Sequence, residues 1–85
     1  MANYKLLIKP SGAKELEDLP PKIRKQIANR IQHLSSEPRP LGSEKLSGQD
    51  KFRIRQGDYR ILYAIHDDEG SIVIVKTGHR REVYR

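Results

Sequence analysis

Between Lys51 and Thr77 the chain has little freedom in what it can become. Lys51-Phe-Arg-Ile-Arg-Gln sets Phe52 and Ile54 on one side of an extended segment and Lys51, Arg53 and Arg55 on the other. Gln56-Gly57-Asp58 carries hairpin-turn chemistry. Tyr59 to His66 then alternates Ile61, Tyr63 and Ile65 against Arg60, Leu62, Ala64 and His66. After the turn Asp67-Asp68-Glu69-Gly70 comes Ser71-Ile-Val-Ile-Val-Lys-Thr, whose β-branched run reads as a central strand covered on both sides. Connections this short join only antiparallel neighbours, so 51–56, 59–66 and 71–77 are expected to form a meander.

The N-terminal half supplies what the meander needs in order to bury a face. Residues 3–9 alternate Tyr4, Leu6 and Ile8 with Lys5, Leu7 and Lys9, the period of a half-buried strand. From Leu16 the apolar positions run Leu16, Leu19, Ile23, Ile27, Ile31, Leu34 in steps of three and four, one stripe of helical structure. Pro20-Pro21 interrupts that stripe, and prolines suit the first turn of a helix better than its middle. The segment therefore reads as a helix over about 12–19 and a longer one over about 21–35, a hairpin laid on the sheet. Ser35 through Gly48, with Pro38, Pro40 and Gly42, is a long connection. The expected fold is α+β, in the order β-α-α-β-β-β. An antiparallel sheet of about four strands carries the N-terminal helical hairpin on one face and leaves the other free.

With 85 residues and no second composition regime, one domain spanning 1–85 is expected. There is no cysteine for a disulfide or a thiolate site, and no clustered Asp/Glu/His ligand set, so neither metal nor organic cofactor is expected. No run approaches the ~18 apolar residues of a membrane span, and no secretory h-region opens the chain, so a cytoplasmic protein is expected. The formal charge of +6 favours a polyanionic partner, nucleic acid or an acidic protein segment.

If the meander forms, Lys51, Arg53 and Arg55 share a sheet face with Arg60, and the tail adds His79, Arg80, Arg81 and Tyr84. Such a surface suits RNA cleavage that uses the ribose 2′-hydroxyl as nucleophile. Guanidinium groups clamp phosphate oxygens and offset transition-state charge, while a histidine or tyrosine moves protons or stacks on a base. Each element also has a plainer reading. Alternating arginines commonly make a solvated strand face, a histidine after glycine is commonly a surface loop residue, and a terminal tyrosine commonly closes a core edge. Tyr4, Tyr59 and Tyr63 read as core or edge aromatics, and nothing is assigned to His33 or His66.

The string Lys51-Phe-Arg-Ile-Arg-Gln-Gly-Asp-Tyr-Arg-Ile-Leu-Tyr, followed by Gly78-His-Arg-Arg-Glu-Val-Tyr, resembles the RelE/ParE toxin superfamily, and specifically its RelE branch. The helical hairpin, the Pro-rich loop ending Lys45-Leu-Ser-Gly and the first strand fit the same pattern, so the resemblance covers nearly the whole chain. It implies a RelE-like, microbial-RNase-type fold and a type II toxin that cleaves mRNA in the ribosomal A site. It also implies a RelB-like antitoxin and a toxin–antitoxin complex that represses its own operon through the antitoxin's DNA contacts.

Carried over by residue, the resemblance implies catalytic roles for Arg53, Arg55, Arg60, Arg80, Tyr84 and His79, with Lys45, Lys51 and Arg81 as further RNA contacts. Some relatives have lysine where this chain has Arg53 and Arg55, and arginine, with a pKa above ~12, cannot serve as a general base at neutral pH. His79 or Tyr84 is then the expected proton carrier, or catalysis runs on phosphate clamping and orientation. A gyrase-inhibiting toxin of the ParE kind and a non-catalytic basic RNA-binding module are the alternatives. Arrest by a gyrase poison would bring DNA-damage signalling; a binding module would leave RNA intact.

Overall fold

The computed structural model describes residues 3–46 and 51–79. Its elements run β1 Lys5–Ile8, α1 Pro10–Glu17, α2 Pro21–Leu34, β2 Glu44–Lys45, β3 Lys51–Gln56, β4 Tyr59–His66 and β5 Ser71–His79. Both helices begin on a proline, whose fixed φ suits the first turn and whose missing N–H is not needed there. The first helix thus starts two residues earlier than the apolar stripe suggests. The prolines that interrupt the stripe are a helix start, as expected.

The sheet differs from expectation in two ways. Its order is β1-β5-β4-β3-β2, five strands, the fifth being the two-residue β2 on the outer edge of β3. It is also mixed, because β1 pairs in parallel with β5, Lys5 opposite Ser71 through Ile8 opposite Ile74. A parallel partner requires a long crossover, and here α1 and α2 lie at its start. The meander itself is as read. Gly57 (φ 61°) and Gly70 (φ 64°) take the left-handed conformation at its two turns, and the β4–β5 ladder shifts register between Leu62 and Tyr63.

The helices cover one face. Ile27, Ile31 and Leu34 of α2 bury against Phe52, Ile54, Ile61, Tyr63, Ile65, Ile72 and Ile74, while Leu16, Leu19 and Ile23 pack at the margin. Every position of the apolar stripe is therefore used. At α1 the approach is close: a Cβ on Gly12 would lie 3.3 Å from the Val75 carbonyl oxygen, so glycine lets the helix sit directly on β5. No helix among the described residues is long and apolar enough to cross a membrane.

The loop between α2 and β2 is tied to the sheet at two places. The Tyr63 hydroxyl, buried in the core, donates to the Pro38 carbonyl at 2.7 Å, and burial pushes its pKa up to about 12. Arg39 lies over the Phe52 ring at 5.3 Å and pairs with Asp67 at 2.8 Å, and the Tyr4 hydroxyl donates to the same carboxylate at 2.7 Å. The Arg39 and Tyr4 hydrogen bonds hold the Asp67 carboxyl below its usual range, and accepting from Tyr4 lets Asp67 hold that phenol above its own. These ties fix where β2 begins, and so where Glu44 sits.

Candidate RNA-cleaving face

The side of the sheet away from the helices is built by cross-strand register. In the β3–β4 ladder Arg55 lies opposite Arg60, Arg53 opposite Leu62 and Lys51 opposite Ala64. Directly opposed residues share a face, so Lys51, Arg53, Arg55 and Arg60 project together, as the alternation predicted. Arg60 is 7% exposed, whereas Arg55 is exposed. Two guanidinium groups directly opposite on neighbouring strands repel, at a cost of a few tenths to about 1 kcal/mol relative to neutral partners. An arrangement that keeps them opposed suits an anion placed between them.

Glu44, on which the sequence reading put no role, belongs to this face. It pairs with Arg53 in the β2–β3 ladder, and its Oε2 lies 2.7 Å from the Arg53 guanidinium. Arg53 is nearly covered, its side chain 11% exposed, while Glu44 stands 54% exposed at the rim. An exposed carboxylate held by one arginine can accept a proton, and the arginines beside it are of the kind that hold anions. Its only sequence signal was membership of a two-residue strand, too short to read from periodicity.

Two nominated residues fall elsewhere. Lys45 lies opposite Phe52, so it shares the register of the core-facing residues and not of the arginines. His79 lies opposite Tyr59, one residue out of phase with Arg60 opposite Gly78, and so projects to the helix side. Its ring packs edge-on against Tyr59, centroids 5.7 Å apart at 83°. Here the end of α1 and the following turn leave an open cleft of about 340 Å³, walled by Leu19, Pro20, Tyr59 and His79 with Glu15 and Asp18 at its rim. The strand extends to His79, two residues past the expected end, and the extra residue Val75, between the Leu62–Lys76 and Tyr63–Ile74 pairs, reverses the alternation so that the histidine faces the helices. Arg80, Arg81 and Tyr84 lie outside the described residues.

Comparison with known proteins agrees with this architecture. Residues 6–84 match the family described as the ParE toxin of the type II toxin–antitoxin system parDE. The chain therefore belongs to the ParE toxin family of type II toxin–antitoxin systems.

Within that class it is a RelE-type toxin. It is 33% identical over 86 residues to toxin RelG of Mycobacterium tuberculosis, covering 96% of this chain and 97% of that protein. It is also 33% identical to the putative toxin RelE1 of Methanocaldococcus jannaschii, covering 85% and 84%. Among solved structures, the RelBE2 toxin–antitoxin complex of Mycobacterium tuberculosis superposes with a TM-score of 0.83 at 29% identity, covering 96% of this chain and 97% of that one. The archaeal RelE–RelB complex of Pyrococcus horikoshii gives 0.80 at 27%, covering 94% and 98%. Isolated Escherichia coli RelE shares the fold, with a TM-score of 0.81 at 24% identity, covering 95% and 90%.

Proposed function

We propose that this toxin is a ribosome-dependent endoribonuclease that cuts mRNA in the A site and so halts translation. The observation that carries the reading is the opposed pair Arg55 and Arg60 with the Arg53–Glu44 ion pair beside it. Arg55 and Arg60 clamp the non-bridging oxygens of the scissile phosphate and offset the charge that builds on it. Glu44 accepts the proton of the ribose 2′-hydroxyl as that oxygen attacks phosphorus, and Arg53 holds the carboxylate in place. The bond to the 5′-oxygen breaks, leaving a 2′,3′-cyclic phosphate. The departing oxygen takes a proton from Tyr84, and Arg80 adds a further positive charge. Lys51, Arg81 and Lys45 are weaker contributors through general attraction for RNA.

A basic toxin must be covered in the cell that makes it. The partner proposed is a RelB-like antitoxin whose acidic segment orders on binding, with autoregulation of the operon through antitoxin DNA contacts. The solved relatives in complex with RelB support this partner.

The test is primer extension on a defined mRNA in a purified translation system, with and without ribosomes, comparing wild type with Arg60→Ala, Arg80→Ala and Glu44→Gln. Cleavage within A-site codons only when ribosomes are present, lost in both arginine variants and slowed in Glu44→Gln, is the expected result. The match to a family described by its ParE member gives the gyrase-inhibitor reading a specific footing. Intact mRNA together with DNA-damage signalling on expression would favour it.

A further inference from the structure

The extra residue that turns His79 toward the helices moves Lys76 the other way. Ile72 and Ile74 are buried in the core, and strict alternation along β5 would send Lys76 after them. With Val75 inserted, Lys76 instead lies opposite Leu62, and Leu62 lies opposite Arg53 in the next ladder. Lys76, Leu62 and Arg53 therefore form one row across three strands on the arginine face. Bulges that re-aim a side chain are common beside functional sites. Lys76 is also the diagonal neighbour of Arg60, at about 7–8 Å, within reach of two long side chains. Directly opposite Arg60 is Gly78, which puts no side chain beside the arginine.

The contact that holds Lys76 in the free protein is slight. Glu15 Oε1 accepts the Thr77 N–H at 3.1 Å. A strand's N–H groups lie in the plane of the sheet, and the β1 pairing of β5 ends at Ile74, so this carboxylate caps the outer edge of β5 where, among the described residues, no strand covers it. From that edge its Oε2 lies 3.9 Å from the Lys76 ammonium, and both side chains are 35% exposed. An ion pair so long and so open contributes little, and the ammonium can exchange it for a phosphate oxygen while Glu15 keeps the Thr77 N–H.

We propose that Lys76 is a substrate-binding residue of the RNA face, its ammonium leaving Glu15 to engage the phosphate next to the one held by Arg55 and Arg60. The inference rests on the reading of RNA as substrate. The diagonal separation of Lys76 from Arg60 is close to the step between consecutive phosphates of an extended strand, which is why the neighbouring phosphate and not the scissile one is assigned to it.

The experiment measures binding of the toxin to purified ribosomes programmed with an mRNA whose A-site codon is 2′-deoxy, so that the nucleophile is missing and binding is read without cleavage. Two further mRNAs carry an uncharged methylphosphonate at the phosphate on the 5′ or the 3′ side of the scissile one. Lys76→Met should weaken binding to the fully charged mRNA about fivefold, and Lys76→Arg less than about twofold. One of the two methylphosphonates should cost wild type a similar factor and cost Lys76→Met almost nothing further. Glu15→Gln, which keeps an oxygen for the Thr77 N–H, should bind at least as tightly as wild type. Wild type that does not bind these ribosomes, no loss in Lys76→Met, the same methylphosphonate cost in Lys76→Met as in wild type at both positions, or a loss in Glu15→Gln equal to that in Lys76→Met, which would make the ion pair structural, would each overturn the inference. This coupling in a toxin that leaves the all-ribose mRNA intact refutes the nuclease reading alone, and mRNA cleavage without the coupling refutes this inference alone.

Discussion

The two faces of the sheet are made of the same strands and obey opposite rules. Toward the helices, Ile54, Ile61, Tyr63, Ile72 and Ile74 are almost wholly buried, each side chain packed against apolar neighbours. On the far side, the intervening residues of β3 and β4 set Arg55 against Arg60 and give Arg53 a carboxylate partner. One face is packed as a core, and the other sets like charges opposite each other. That is the pattern expected where function overrides packing. The comparison breaks if mutations on the two faces have the same consequences.

The largest effect is expected in the core. Ile61→Ala removes three carbons from a fully buried site and should cost about 2–5 kcal/mol, measured by urea unfolding. In an 85-residue protein this is a large share of total stability. At a temperature where the variant remains folded, its mRNA cleavage should lie within about threefold of wild type, since the backbone that sets the arginine register is kept. A cleavage loss as large as that of an arginine variant would mean that the two faces do not separate.

Arg55→Ala is the reciprocal case. On the proposed mechanism Arg55 contacts the scissile phosphate, and its removal should lower cleavage about 100-fold or more, of the order of 2.7 kcal/mol. Stability should stay level or rise slightly, because the variant relieves repulsion from Arg60. Thermal unfolding beside single-turnover cleavage checks both halves at once. A clear loss of stability with normal cleavage would make Arg55 a structural residue.

How much of this was legible in the sequence follows the range of the interactions. The meander was readable because each of its turns is local and its alternation has a strict period of two. The Lys51, Arg53, Arg55 and Arg60 grouping came directly from that period. The parallel β1–β5 pairing was not readable, because nothing in Lys5–Ile8 says which of the later strands it joins. Glu44 escaped for a related reason: β2 exists only as an addition to β3, and two residues have no periodicity. His79 was assigned to the wrong side because one extra residue in β5, Val75 between the Leu62–Lys76 and Tyr63–Ile74 pairs, reverses the facing of all that follows, and no sequence signal marks that bulge.

Tyr63 offers a pH-dependent probe of the buried face. Its pKa rises from 10.0 to about 12 in the folded protein, so the folded state disfavours ionisation. Below pH 10 both states are protonated and the residue adds no pH dependence. As pH climbs from 10 toward 12 the unfolded chain releases the phenolic proton first, so stability should fall through that window by about 2 kcal/mol. In Tyr63→Phe that component of the alkaline slope should vanish, together with about 1 kcal/mol from the lost hydrogen bond to Pro38. An unchanged alkaline slope in the variant would assign it to other groups.

The smallest expected effect lies where the two faces share a backbone. Gly12→Ala should gain about 1 kcal/mol of helix propensity within α1, but its new Cβ would sit 3.3 Å from the Val75 carbonyl and 3.4 Å from that of Ile74. The atoms that must give way are main chain, and the Ile74 carbonyl is already bound by the Lys9 N–H at 3.0 Å. The strain should slightly exceed the propensity gain, for a net loss of about 0.5 kcal/mol. What makes the variant informative is direction. Moving β5 at Val75 passes displacement along the strand to Gly78, the partner of Arg60. Cleavage should therefore fall several-fold, out of proportion to the loss of stability, whereas Ile61→Ala should show the reverse ratio. Equal ratios in the two variants would mean that the arginine face does not depend on how closely α1 seats on β5.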